Sequence, residues 1–76
     1  MDINYELYKV FYYVADTLSF SEASKQLYIS QSAVSQSIKQ LETALQARLF
    51  SRSPRGVSLT GEGQMLYQYV RSALGL

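Results

Sequence analysis

A run of polar side chains at helical spacing between residues 31 and 45 is the part of this sequence best suited to bind another molecule. Helical periodicity places Val34, Ile38, Leu41 and Leu45 on one face, and Ser32, Ser35, Gln36, Lys39 and Thr43 on the opposite face. This outer face contains no acid, and Glu42 lies at its margin. Solvated helices usually mix both signs of charge, whereas hydroxyls, amides and a cation suit hydrogen bonds to base edges and phosphates. The pattern therefore predicts a helix that contacts nucleic acid.

A short basic segment follows this helix. Residues 48–52 alternate in the manner of a strand, Ser53-Pro54-Arg55-Gly56 has the composition of a turn, and residues 57–59 return as a second strand. Residues 23–60 carry five basic and one acidic side chain, whereas residues 1–22 carry one basic and four acidic ones. Such segregation of charge predicts that one side of the protein faces a polyanion.

Composition excludes several other classes of protein. A chain of 76 residues forms one domain at most. It contains no cysteine and no histidine, so it lacks disulfides, thiolate metal sites and the usual general base. No apolar run approaches the roughly 18 residues of a membrane span, and no signal peptide is visible. We therefore expect no enzyme activity, cofactor, metal or membrane partner, and a cytoplasmic location.

Two helices and a tight turn are predicted to support the polar helix. The first runs from about Tyr5 to Thr17, and its flanking tyrosines favour packing at the edge of the core over base stacking. Its core-facing stripe is predicted to be Leu7, Val10, Phe11, Val14 and Leu18. Ser19 and Glu22 predict a capping box for a second helix of seven or eight residues, with Phe20, Ala23 and Leu27 turned inward. Ser30 is predicted to cap the third helix and Thr60 the last one.

The last helix, from about Gly61 onwards, has an unusually wide apolar arc. Leu66, Val70 and Ala73 share one face, Met65 and Tyr69 flank it, and Tyr67 and Leu74 extend it. An arc wider than one core requires favours a second buried contact, most simply with another copy of the chain. The alternative is a helix that covers its own core generously.

At this point the chain resembles the N-terminal DNA-binding domain of LysR-type transcriptional regulators, over about residues 5–70. The matching series is Phe11, Val14-Ala15, Ser19-Phe20, Ala23, Leu27, residues 29–35 (ISQSAVS), Ile38, Leu41-Glu42, Leu45, Arg48-Leu49-Phe50, Arg52, Arg55-Gly56, Leu59-Thr60 and Gly63. The residues occur in order and at family-like spacing.

The resemblance implies a mainly α fold, a winged helix-turn-helix with a three-helix core, a two-stranded wing and a C-terminal linker helix. Residues 1–60 would form the DNA-binding domain, and residues 61–76 a truncated linker and dimerisation helix. The third helix, about residues 31–45, would lie in the major groove of double-stranded DNA. The wing, residues 50–59, would lie on the backbone or in the minor groove. The family's effector domain, and with it any site for a small-molecule effector, is expected to be absent from this chain.

Site residues follow from the resemblance position by position. The implied DNA-binding residues are Ser21, Ser30, Gln31, Ser32, Ser35, Gln36, Lys39, Arg52 and Arg55. Of these, Ser21, Ser30 and Lys39 would approach phosphates, and Arg55 would enter the minor groove. The predicted homodimer interface is Met65, Leu66, Tyr67, Tyr69, Val70 and Leu74.

Three positions depart from the family pattern. The family commonly has proline at the position of Ser32, often arginine at that of Gln36, and usually glycine at that of Gln46. Glutamine can pair bidentately with adenine, whereas arginine prefers guanine, so Gln36 is expected to change base preference. Gln46 is expected either to accept a strained left-handed backbone or to alter the end of the helix.

A second class of function, a protein-interaction module on the same scaffold, is also compatible with the exposed tyrosines and the apolar last helix. The acid-free helix face beside Arg52 and Arg55 favours nucleic acid over this alternative. An enzyme is disfavoured, because Gly61-Glu62-Gly63 lacks the pattern of a phosphate-binding loop.

Overall fold

The fold consists of four helices and one β-hairpin. A computed structural model describes residues 5–75. Residues 1–4, which begin the predicted DNA-binding domain, and Leu76, which ends the predicted linker helix, lie outside the described residues. The elements are α1 (Tyr5–Thr17), α2 (Phe20–Leu27), α3 (Gln31–Leu45), β1 (Phe50–Ser53), β2 (Gly56–Leu59) and α4 (Gly61–Ala73). This order confirms the predicted mainly α, winged helix-turn-helix architecture. Within the described range, no helix is long and apolar enough to cross a membrane.

The core forms where α1, α2 and α3 meet, and β1 and α4 close it. Its fully buried members include Phe11, Val14, Ala23, Val34 and Leu41. Because Val34, Ile38 and Leu41 face this core, the polar residues on the opposite side of α3 are turned towards solvent. The periodicity of the third helix thus predicted correctly which of its faces is free to bind.

Leu18 is a correction to the predicted core stripe of the first helix. The helix ends at Thr17, and Leu18 has a left-handed backbone with φ of 52° and is 43% exposed. This backbone turns the Leu18 side chain away from the row formed by Leu7, Val10, Phe11 and Val14. Ala15 is buried instead.

Side-chain caps begin three of the helices. The Oγ atom of Ser19 accepts a hydrogen bond from the Glu22 N–H at 3.0 Å, which is one half of the predicted capping box. For the other half, the Ser19 N–H donates to Thr17 Oγ1 at 3.2 Å, so a residue of α1 replaces the predicted Glu22 carboxylate. Ser30 and Thr60 cap α3 and α4 as predicted. The hydroxyl of Ser30 accepts from the Ala33 N–H, and that of Thr60 accepts from the Gly63 N–H.

Gln46 ends α3 in a left-handed conformation, with φ of 55° and ψ of 43°. Its N–H donates to Thr43 O at 3.2 Å, and the Ala47 N–H donates to Glu42 O at 3.1 Å. These two hydrogen bonds supply donors to carbonyls that would otherwise have no hydrogen-bond partner at the end of the helix. The first of the two expected outcomes is therefore observed, because the helix ends normally and Gln46 adopts the strained backbone.

We expect the substitution Gln46→Gly to raise the free energy of unfolding by about 0.5–1 kcal/mol. Relief of left-handed strain contributes about 1–2 kcal/mol, and the greater freedom of glycine in the unfolded chain removes about 0.4–1 kcal/mol. Urea denaturation measures the difference. Gln40→Gly is the matched control, because Gln40 is exposed inside the same helix. Glycine at this position should lower the free energy of unfolding by about 1 kcal/mol. A loss of stability in both variants would contradict the strain at Gln46.

The wing is a two-stranded antiparallel sheet. Phe50 pairs with Leu59, and Ser53 pairs with Gly56 across the tight turn. Phe50 is buried, whereas the other three residues of β1 are exposed, so the wing is anchored at its base and projects into solvent at its tip. The Thr60 hydroxyl also donates to the Arg48 carbonyl, which joins the start of α4 to the base of the wing.

Candidate nucleic-acid interface

The first turns of α3 present a polar surface that begins at its N-cap. Gln31, Ser32 and Gln36 are exposed. The Oγ atom of Ser30 accepts from the Ala33 N–H at 3.1 Å and lies 3.2 Å from the Oγ atom of Ser32. Both hydroxyls stand at a helix N-terminus, where the first N–H groups have no carbonyl partner within the helix, so this end of α3 favours an anion or a base-edge acceptor.

The middle of α3 and the first strand of the wing form the two sides of an open groove of 670 Å³. Its lining includes three predicted site residues, namely Ser35, Lys39 and Arg52. Phe20, Ile38, Glu42, Thr43, Gln46, Ala47, Arg48 and Phe50 complete the lining. The fold therefore brings residues of the recognition helix and of the wing to one concave surface.

The two wing arginines occupy different places. Arg52 lies on the same face of β1 as Phe50, two residues away, and its guanidinium carbon is 3.9 Å from the centre of the Phe20 ring. Arg55 is exposed in the turn, where its backbone N–H donates to Ser53 Oγ at 3.2 Å. Arg52 thus faces the groove, whereas Arg55 stands at the tip of the wing.

Glu42 has a structural part in the site that the sequence pattern did not indicate. One of its carboxylate oxygens, Oε2, accepts from the Leu49 N–H at 2.7 Å and from the Phe50 N–H at 3.4 Å. The same oxygen lies 3.9 Å from Nε of Arg48, whose side chain is 78% exposed. The carboxylate therefore fixes the base of the wing to α3. In the sequence, Glu42 appears within the family-like series as part of the Leu41-Glu42 pair, but no role for its side chain follows from that series.

The remaining predicted contact, Ser21, lies in the first turn of α2. It is exposed, and its carbonyl accepts from Ser24 Oγ at 2.7 Å. Of the nine predicted DNA-binding residues, Ser35 is half-buried and the other eight are exposed. All nine therefore remain candidates on grounds of access.

The apolar arc of α4 is divided between the domain's own core and solvent. Val70 is 3% exposed and belongs to the core, while Leu66, Tyr67 and Leu74 are half-buried against it. Met65 and Tyr69 are 76% and 70% exposed. Part of the predicted dimer interface is thus used within the chain, and the surface open to a partner centres on Met65 and Tyr69.

Tyr67 fixes the orientation of α4 against α1. Its ring stacks on Tyr12 with centroids 5.6 Å apart and an interplanar angle of 11°, and its hydroxyl donates to Asp16 Oδ1 at 3.1 Å. Burial raises the pKa of Tyr67 above its usual value, and the hydrogen bond to Asp16 raises that pKa further. These contacts explain why one side of the wide arc is covered without a partner.

The fold and this surface together define a class: a winged helix-turn-helix domain with a polar, cation-flanked recognition helix. The family model of the bacterial regulatory helix-turn-helix proteins of the lysR family matches residues 5–64. The chain belongs to this family, as a LysR-type DNA-binding domain, which confirms the resemblance.

Individual proteins agree with this assignment. The chain is 45% identical over 73 residues to the uncharacterized HTH-type transcriptional regulator YcaN of Escherichia coli, covering 96% of this chain but 24% of that protein. Among solved structures, the BenM_DBD/catB site 1 DNA complex matches with a TM-score of 0.92 at 33% identity, over 96% of this chain and 82% of that one. The CbnR_DBD–DNA complex matches with a TM-score of 0.89 at 30% identity, over 96% and 84%. The chain thus spans about a quarter of the length of the curated relatives it matches.

Proposed function

We propose that this domain binds double-stranded DNA at specific sequences in the regulation of transcription, with α3 in the major groove and the wing on the backbone and minor groove. The observation that carries the proposal is the exposed polar face of α3 beside Arg52, with the carboxylate of Glu42 bound to backbone N–H groups at the base of the wing and Arg55 at the tip of the wing. Base edges require donors and acceptors of this kind, and phosphates require the flanking cations. The similarity to domains that were solved as DNA complexes supports DNA binding by this domain.

The proposed roles of the residues follow from where each lies. Gln31, Ser32, Ser35 and Gln36 contact bases or the phosphates next to them, and Gln36 favours adenine. Ser21 and Ser30 approach phosphates near helix N-termini, and Lys39 and Arg52 neutralise phosphates further along. Arg55 enters the minor groove from the tip of the wing.

The active form is proposed to be a homodimer that pairs through α4. Exposed Met65 and Tyr69 supply apolar surface on a helix whose other side already packs on the core. A single module of this size buries too little DNA-facing surface for useful affinity, whereas two linked copies read two half-sites. Because DNA is the partner, the cytoplasmic location predicted from the sequence is part of this proposal.

Selection of bound duplexes from a random pool, followed by titration at two salt concentrations, tests the function. We expect a symmetric site that binds two chains, with an affinity that falls steeply as salt rises. Absence of binding at low salt, or binding without salt dependence, would contradict the proposal.

The variant Gln36→Ala should change the selected base at one position in each half-site while leaving affinity for random DNA nearly unchanged. A uniform loss across sites would make Gln36 a backbone contact.

A further inference from the structure

The rings of Phe11, Phe50 and Phe20 form a row from the core towards the surface, and Arg52 lies over the last of them. The rings of Phe11 and Phe50 have centroids 5.5 Å apart, and those of Phe50 and Phe20 have centroids 5.8 Å apart. Phe20 is only 6% exposed, and Arg52 lies over its ring, with 3.9 Å from the guanidinium carbon to the ring centre. The exposed cation is therefore held on a buried, rigid support.

The groove under Arg52 is suited to a polyanion. Lys39, Arg48 and Arg52 bring three positive charges to its lining, and Ser35 and Thr43 bring hydroxyls. Glu42 is the acid among its lining residues, and its Oε2 atom lies 3.9 Å from Nε of Arg48. With three basic side chains and one acidic side chain in its lining, the groove has a net positive charge.

The position of the groove indicates which part of DNA it would hold. With α3 in the major groove and the wing in the adjacent minor groove, the strand that separates the two grooves must pass between α3 and β1. The part of that strand facing the protein is its phosphodiester backbone. The open groove lined by Lys39 and Arg52 occupies this place.

We propose that this groove seats one phosphodiester segment of bound DNA, and that Phe20 is the positioning residue that holds Arg52 for it. The proposal rests on the proposed function. Stacking uses the flat face of the guanidinium and leaves its N–H edge free to donate to phosphate oxygens. An unstacked arginine would lose rotamer freedom on binding, whereas Arg52 has already lost part of that freedom in the free protein.

A double-substitution cycle on binding to duplex DNA tests the pairing of Phe20 with Arg52. Arg52→Ala should lower affinity about tenfold and reduce the salt slope by about 0.9, because one phosphate is no longer neutralised. Phe20→Leu should lower affinity about three- to fivefold and leave the slope unchanged, because the charge remains while its support is lost. Added to Arg52→Ala, Phe20→Leu should cause no further loss.

Controls separate positioning from general stability. Phe11→Leu also replaces a buried ring of the same cluster. Phe11 is fully buried, and neither of the two described cation–ring contacts involves it, so the Phe11→Leu protein should bind DNA with unchanged affinity. If Phe20→Leu does not fold, Phe20→Met provides the same test, since it fills the buried site with an apolar side chain and removes the ring under Arg52. It should lower affinity with an unchanged slope.

Three outcomes would overturn the inference. Independent losses from Phe20→Leu and Arg52→Ala, or an equal loss from Phe11→Leu, would mean that Phe20 acts through stability. An unchanged affinity in Arg52→Ala would mean that Arg52 contacts no phosphate in the groove. Each of these results leaves the proposed function intact if the wild-type chain binds DNA with the expected salt dependence, whereas failure of wild-type binding would refute the function itself.

Discussion

Gly63→Ala is expected to lower the free energy of unfolding by about 2–3 kcal/mol, because this small domain cannot accommodate a methyl group at that position. A Cβ atom at Gly63 would overlap the backbone carbonyl oxygen of Leu49 and lie 2.9 Å from Cδ2 of Leu59. The same carbonyl accepts the Thr60 N–H at 3.0 Å, so it cannot move without loosening the start of α4. In a domain of this size the loss corresponds to a fall in melting temperature of roughly 10–20 °C.

Gly61→Ala is the matched control for this effect. Gly61 lies in the first turn of the same helix, and a Cβ atom there would meet no described atom within 4 Å. Alanine is also the better helix former by about 1 kcal/mol, so this variant should be as stable as the wild type or more stable. Thermal denaturation followed by circular dichroism compares the three proteins. Equal melting temperatures for the two variants would mean that α4 does not approach the wing as closely as described.

Arg55→Ala is expected to weaken binding to most DNA sequences by about five- to tenfold and to reduce the salt slope by about 0.9. Arg55 is exposed at the tip of the wing, and the one hydrogen bond described for it uses its backbone N–H. Removal of the side chain should therefore cost DNA affinity without costing stability. Titration with labelled duplex at several salt concentrations gives both quantities.

Arg71→Ala provides the comparison for Arg55, because it removes the same charge from the last turn of α4, away from the groove. It should change neither the slope nor the affinity beyond the small effect of net charge. An Arg55→Ala protein with wild-type affinity and slope would show that the tip of the wing does not touch DNA. A loss confined to one selected sequence would instead make Arg55 a base-reading residue.

Local features of the fold were accessible from the sequence because each depends on neighbours along the chain. The cap at Ser30 needs only an N–H three residues later, and the core face of α3 needs only helical spacing. The error at Leu18 has the same origin. Periodicity added Leu18 to the core-facing stripe just past the predicted helix end at Thr17, whereas the chain turns at Leu18 through a left-handed backbone.

The parts of the site that escaped prediction depend on residues from different elements. Glu42 was placed at the margin of a polar face, but the N–H groups of Leu49 and Phe50 draw its carboxylate to the base of the wing. Arg52 was predicted as a wing cation, but its support by Phe20 requires α2 and β1 to lie side by side. Neither contact has a signature in spacing or composition.

The sequence by itself determined the class of this protein, because its ordered series of residues resembles that of one family. It also determined the polar face of the recognition helix and the cations of the wing, because side-chain type and helical period decide which residues share a face. Only the tertiary structure decided how those faces are used. The wide apolar arc of α4 could belong to a core or to a partner, and the packing of α1 assigns Val70 and Tyr67 to the domain itself while leaving Met65 and Tyr69 exposed. Periodicity describes directions around one helix axis, whereas burial depends on which other element arrives there.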